Sequence, residues 1–599
     1  MVYLRSIQDS ILATERSKIL RTQTMRRKFL AVSAAVSIIS GTAIIATSQA
    51  DAATAKPTSG GTITFLEHNP RLDAIDPTRI YTGRDIAFET SYFVRTLVSF
   101  KHVDGPSATD LVPDLATNTG VPSNSAKDWK FTLRPGVTFE DGHPVTCEDV
   151  RYGSSRVFAQ DVLPDGPTYL INWLDTGSET YPGPYKATKA QQAAFDKAIE
   201  CSKDHRTITF HLKQSVGDFN YLATYPVISP VQKSVDNGDK YDLRPQATGP
   251  YKIKENSKAK LLLVRNPKWN QASDPIRTPY PDQVVIQFGM DQELMDQIVL
   301  SDSLPNAMNF DGPLPTNLKK FFENPYFKGG KYNKDTAFVG YLAFNLAKIP
   351  CLQIRKAMYF ARNAKAIVDY RGGPTYNGGY VQSAVSPLNT ADYAPNGEWG
   401  VANPKWKPEG NIDYAKSLMD EAKTACPDDY AKATTTGYTI DVRQSATLTD
   451  TVPINQAAWA RIGIKVQYNA IAAGYYPTVM NPDKQSDIST SGWSQDWPNA
   501  STVIPPLYTP EGGFDISQNT KDPIYTKFAA DVQKAIGNSN RKSQAAQWKA
   551  LEKQAAQRYW ILPTEGIKNQ EVWGTGIHGV YFWLPQAQPD YTKLWVSKE

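Results

Sequence analysis

Metal-ligand spacing is missing from these 599 residues. The four cysteines, Cys147, Cys201, Cys351 and Cys426, form no C-x-x-C pair, and the six histidines, His68, His102, His143, His205, His211 and His578, form no H-E-x-x-H. The usual zinc spacings are therefore excluded, and neither metal nor cofactor is expected. His205 and His211 lie across a strand-like RTITFHL and read as surface and strand residues. There is no G-x-S-x-G elbow, which removes that hydrolase signature, and no fixed-period repeat. GTGIHG, Gly574 to Gly579, does match G-x-G-x-x-G, but VYFWLP follows where a dinucleotide-binding helix should start; it is a chance match.

Excess charge is scarce too. The chain has 65 Lys and Arg against 60 Asp and Glu, of which residues 1–55 hold seven and three. The remainder has 58 against 57, a net charge of +1 with no long basic run to neutralise phosphates. Nucleic acid is excluded as a partner on this ground.

What is present begins with a leader. RRK at 26–28 precedes the apolar run Phe29 to Ala46 and the small-residue sites around Ala50–Ala55. Basic, apolar and small-residue regions in that order predict an export signal over 1–55. Met25 is an alternative start, RRKFL resembles a twin-arginine signal, and an uncleaved leader would serve as an anchor. The full chain, long enough for two or three packed units, has 42 prolines, 31 tyrosines and 13 tryptophans, nearly all in the part after residue 55, so loops and aromatic surface are abundant.

DWKFTLRPGVTFEDGHPVTCEDV, Asp128 to Val150, shows how that content is organised. Trp129, Phe131 and Leu133 alternate with polar residues as in a half-buried strand. RPG turns the chain into a second alternation at Val137 and Phe139. Thr146 then caps a helix whose first turn carries Glu148 and Asp149 against the helix dipole. TITF reads as a strand, YKIKE and LLLVRN as a hairpin, and Ile354, Ala357, Met358 and Ala361 as one helix face. Strands alternating with helices give an α/β class with mixed sheets.

The same stretch resembles the signature of the family 5 extracellular solute-binding proteins, the oligopeptide- and dipeptide-binding components of ABC importers. ATGPYKIKENSKAKLLLVRNPKW (247–269), GYLAFNLAKIPCLQIRKAMYFARNAKAIV, GGTITF and LDAIDP are similar to further blocks of that family, in its order, over essentially all of the chain after residue 60. The resemblance implies a two-lobed periplasmic-binding-protein-like fold with an additional inserted domain. Lobe I would comprise 57–98, 245–335 and 560–599, the inserted domain 99–244, and lobe II 336–559. Hinge closure over a ligand, here a short peptide, and delivery to a membrane permease with its ATPase would follow. The chain would act as a monomer and carry out no covalent chemistry. The same fold holds oligosaccharides or nickel complexes in other members, and an exported hydrolase is the alternative of a different class.

Within SGWSQDWPNAS, similar to the family's W-x-A-D-Y-P-D block, Asp496 occupies the position that pairs with a peptide α-ammonium. Gln495, Trp497 and Asn499 depart from the commoner residues. Trp493, Ser494, Trp497, Tyr475 and Tyr476 are the expected aromatic and polar walls, and Glu67, His68 and Asn69 follow the first strand where the family's cleft loop lies. An exported chain with four cysteines favours disulfides; of three possible pairings Cys147–Cys201 and Cys351–Cys426 each close a loop inside one candidate domain, with buried free thiols as the alternative. No lipobox cysteine follows the apolar run, so the mature protein is expected in a periplasm, released, or held at the outer face of the cytoplasmic membrane by its leader.

Overall fold

The alternation at Trp129 and Phe131 does make a strand, Asp128–Thr132, with both rings buried. It is the second strand of a four-stranded antiparallel sheet, ordered Val121–Ser123, Asp128–Thr132, Thr207–His211, Ile199–Cys201. Val137 and Phe139 are buried but form no second strand, only an isolated bridge between Thr138 and Pro144. Pro144 has no N–H to extend a ladder. Thr146 caps the helix Cys147–Arg156 as a full capping box: its hydroxyl accepts from the Asp149 N–H, and the Asp149 carboxylate accepts from the Thr146 N–H.

This computed structural model describes residues 56–597 apart from 510–522 and the single positions 179, 445, 473, 482 and 539; the export leader lies outside the described residues. A ten-stranded mixed sheet organises the chain. Its order is Val466–Ile471, Tyr438–Arg443, Ile488–Trp493, Gly330–Phe344, Ile561–Trp573, Ala307–Asn309, Thr62–Leu66, Gln283–Gln287, Lys260–Arg265, Tyr251–Asn256. The Thr62–Leu66 strand is parallel to both its neighbours, and YKIKE with LLLVRN forms the expected antiparallel hairpin. The centre is the antiparallel pair Gly330–Phe344 and Ile561–Trp573, whose register shifts between Asp335 and Val339 and again before Tyr341. Bulges of this kind bend a strand and raise its twist.

Two hydrophobic cores flank that pair. The first is built from segments between Ile63 and Phe310 and from Ile577 to Val596. The second runs from Val339 to Leu562 and includes Ile354, Ala357, Met358 and Ala361, the predicted helix face, on Leu352–Ala361. Each core has its own disulfide. Cys147, first residue of its helix, joins Cys201 at a strand end, and Cys351, at the N-cap of Leu352–Ala361, joins Cys426 between two helices. The loops closed span 54 and 75 residues, so each bridge removes substantial freedom from the unfolded chain. Replacing either pair by alanines is expected to lower stability by roughly 2–4 kcal/mol, read as a drop in the urea midpoint. A midpoint that does not move would rule this out.

GTGIHG ends in a two-residue strand, Ile577–His578, paired with Trp595–Val596, and among the described residues no α-helix follows it. Among the described residues no helix is long and apolar enough to cross a membrane.

Candidate functional site

The segment Ser494–Ser501 leaves the second core and returns to it. The strand Ile488–Trp493 ends with Trp493 buried in the second core, and Ala500 and Val503 pack there again. Its root is fixed on that side by three bonds. Trp493 Nε1 donates to the Thr502 carbonyl at 2.6 Å, the Ala500 N–H to Asp392 Oδ2 at 2.7 Å, and Asn499 Nδ2 to Gln544 Oε1 at 3.1 Å. Pro498 and the short 3-10 turn Ala500–Thr502 make the return.

The tip, Asp496 and Trp497, is placed on the other side. Tyr81 and Tyr169 donate their hydroxyls to Asp496 Oδ2 at 2.9 and 2.6 Å, and Tyr225 donates to its main-chain oxygen at 3.2 Å. The Asp496 N–H donates to Thr502 Oγ1 at 3.1 Å. Burial pushes the Asp496 carboxyl up to about 6, with the tyrosine hydrogen bonds working in the opposite sense. It is a carboxylate held out of water among phenols, and among the described residues no lysine or arginine forms an ion pair with it. Burial likewise raises the three tyrosines well above their usual range, so they act only as donors at neutral pH.

Trp493 meets Tyr81 edge to face, ring centroids 6.0 Å apart, and Tyr81 in turn meets Tyr225 at 6.2 Å. Trp497 belongs to the first core, among Tyr169, Trp173, Tyr221 and Tyr225. Ser494 is half-buried beside them. Tyr475 is buried in the second core with its hydroxyl donating to the Asp441 carbonyl at 3.2 Å, and Tyr476 lies under the Arg443 guanidinium at 5.2 Å. These two tyrosines thus stand behind the strand that carries Trp493.

Glu67, His68 and Asn69 make a second cluster at the end of Thr62–Leu66. Asn69 donates to Glu67 Oε1 through both its main-chain and side-chain nitrogens, at 2.7 Å. Arg84 Nη1 reaches Glu67 Oε2 at 2.7 Å and also pairs with Asp311, which sits 2.6 Å from His68 Nδ1. Burial pushes Glu67 up to about 8 against the pull of Arg84. Asp311 is held below the usual carboxylate range by Arg84 and His68 in spite of its burial, and its hydrogen bond holds His68 up. Glu67, His68 and Asp311 are near enough to share a cation, and Arg84 already fills that role.

Sequence reading did not find Tyr81, Tyr169, Tyr225 or Asp218. They lie 415, 327, 271 and 279 residues from their partners at 496 and 497. Nothing in local spacing separates them from the other tyrosines and aspartates; only the crossing of the segment between the cores does.

Comparison with known proteins agrees with this architecture. The family model of bacterial extracellular solute-binding proteins, family 5 Middle, matches residues 110–515, more than half of the chain. Among solved structures, a clavulanic acid biosynthesis oligopeptide binding protein 2 superposes with a TM-score of 0.76 at 25% identity, covering 90% of this chain and 96% of that one. The Escherichia coli murein tripeptide binding protein MppA shares the fold, with a TM-score of 0.71 at 18% identity over 90% of this chain and 99% of its own. In sequence, the probable D,D-dipeptide-binding periplasmic protein DdpA of Escherichia coli (strain K12) is 29% identical over 181 residues, 29% of this chain and 30% of that protein. The chain spans about a third of the length of the curated relatives it matches. The matched family model, spanning the Ser494–Ser501 segment and parts of both cores, places this chain among the bacterial extracellular solute-binding proteins of family 5.

Proposed function

We propose that this protein is the extracytoplasmic binding component of an ABC importer, capturing short peptides between two lobes and delivering them, by hinge closure, to a membrane permease coupled to its ATPase. Lobe I is 57–98, 245–335 and 560–599, with the inserted domain 99–244; lobe II is 336–559. The central strands Gly330–Phe344 and Ile561–Trp573 would form the hinge, since the pair is buried in the second core at residues 339–344 and 561–562 and Trp573 at its other end packs against the first. The observation that carries the reading is Asp496, a buried carboxylate at the junction of the two cores, ringed by hydroxyl donors. A peptide α-ammonium supplies the charge that such a group needs, and it does so only when the two sides meet around it. Relatives named as dipeptide-, tripeptide- and oligopeptide-binding proteins support a peptide over another solute. Trp493 and Tyr81, edge to face beside Asp496, supply an aromatic wall that suits side chains of varied shape, with Tyr475 and Tyr476 backing the strand that carries Trp493.

The protein would bind its ligand without transforming it, as a monomer outside the cytoplasmic membrane. Native mass spectrometry of the purified mature protein, followed by denaturation, tests the reading. A set of short peptides is the expected release. A single sugar or metal-complex mass would overturn the peptide assignment, and turnover of a bound peptide would overturn the binding-protein class.

A further inference from the structure

Trp497 is anchored more firmly than a wall of a binding cleft needs to be. Its indole is buried in the first core although its chain neighbours Trp493 and Ala500 belong to the second. Tyr221 stacks on it with an interplanar angle of 19°, while Tyr169, Trp173 and Tyr225 close the other sides. At the end of this pocket Trp497 Nε1 donates to Asp218 Oδ2 at 2.6 Å, and Ser501 Oγ donates to the same oxygen at 2.9 Å. Asp218 precedes the short helix Phe219–Leu222, but its side chain makes no cap bond there and faces Trp497 instead. The segment is thus bonded to the second core at its root and plugged into the first at its tip.

We infer that Trp497 and Asp218 form a latch between lobe II and the inserted domain: the indole–carboxylate bond holds the closed arrangement, keeps neighbouring Asp496 under Tyr81 and Tyr169, and sets the rate at which ligand leaves. The physical basis is differential contact. An indole with a charged acceptor in a fitted aromatic pocket stabilises only the arrangement in which pocket and plug coincide, so opening must break that bond and expose the ring. Asp496 sits beside the plug on the chain, so the carboxylate that meets the ligand is positioned by a group that need not touch it.

The inference rests on the proposed two-lobe closure, and its test reads the lobes apart from any ligand. The four native cysteines are paired, so cysteines introduced at the exposed positions Lys197 and Lys423 would take spin labels alone. Electron–electron distance measurements on the protein without added ligand, for the parent, Trp497→Phe and Trp497→Ala, report the separation. Trp497→Phe keeps a ring and removes only the N–H, which guards against a variant that does not fold. It is expected to reduce the ratio of closed to open molecules about ten- to a hundredfold, the range for a hydrogen bond to a charged group. Trp497→Ala should shift the distribution further. Identical distributions in all three would overturn the latch. Stopped-flow release of fluorescein-labelled tetra-alanine, labelled at its C-terminal end, is expected to speed up in Trp497→Phe by a similar factor with association changed little. If the distances shift but the parent does not bind tetra-alanine, the latch stands and the peptide reading is the one that fails.

Discussion

Replacing Asp496 by Asn is expected to move binding and stability in opposite directions. The substitution keeps an oxygen acceptor for Tyr81 and Tyr169 but removes the charge. For a peptide with a free α-amino group, one member of a buried pair is then lost, and affinity is expected to fall by about 3–5 kcal/mol, roughly a hundredfold to several thousandfold. Stability should rise at the same time. The Asp496 carboxyl lies at about 6 in the folded protein against an ordinary value near 4, so the folded state prefers the protonated form. Its contribution is favourable below the ordinary value and is lost as pH rises through about 6, leaving a cost of about 3 kcal/mol above pH 7. Asp496→Asn removes that cost at pH 8 and has little effect at pH 4. Thermal unfolding at the two pH values, with calorimetric titration of an unblocked and an N-acetylated peptide, measures both sides. Equal loss of affinity for both peptides, or no loss for either, would dispose of the ammonium pair.

The same linkage gives binding a pH dependence. A bound ammonium stabilises the ionised carboxylate, so ligand binding near pH 6 is expected to release a proton from Asp496, and affinity should decline as pH falls below that value.

Asp114→Ala is expected to cause the largest loss of stability. Arg95, Asp114, Asp274 and Arg277 form a buried four-charge cluster in the first core, each side chain almost wholly excluded from water. Asp114 accepts from both arginines, Arg95 Nε at 2.9 Å and Arg277 Nη2 at 2.9 Å, and Arg277 Nε donates to the Thr90 carbonyl. The cluster joins the end of the Gly83–Tyr92 helix to the segments at 114 and 274–277, which have no covalent continuity. Without Asp114, two guanidiniums share one carboxylate out of water, and a cost of about 3–5 kcal/mol is expected. Asp274 is held below the usual carboxylate range by Arg277 and Arg95 despite burial. Its stabilisation is therefore full above about pH 4 and is lost as pH falls further. Urea unfolding at pH 7 measures the loss, and a change under 1 kcal/mol would show that the cluster relaxes to satisfy its arginines another way.

Local signals were readable where the physics is local. The alternation at Trp129 and Phe131, the capping box at Thr146 and Asp149, and the helix face at Ile354, Ala357, Met358 and Ala361 all depend on neighbours within a turn or a strand. The strand expected at Val137 and Phe139 failed for a reason also local but overlooked, a proline at the partner position. Disulfide pairing sits between the two cases. Spacing left three pairings open, and only the packing of the Cys147 helix on the Ile199–Cys201 strand, and of the Cys351 turn on the turn at Cys426, selected one.

The amino-acid sequence by itself determined the class of fold, the family to which the chain belongs and Asp496 as the residue to examine, because periodicity, caps and block motifs are contiguous. Only the tertiary structure decided what surrounds that residue. Tyr81, Tyr169 and Tyr225 reach Asp496, and Asp218 reaches Trp497, across hundreds of residues, after a short segment of one core has been inserted into the other. A carboxylate's chemistry depends on burial and on donors within about 3 Å, and the chain fixes those distances only when distant segments pack together.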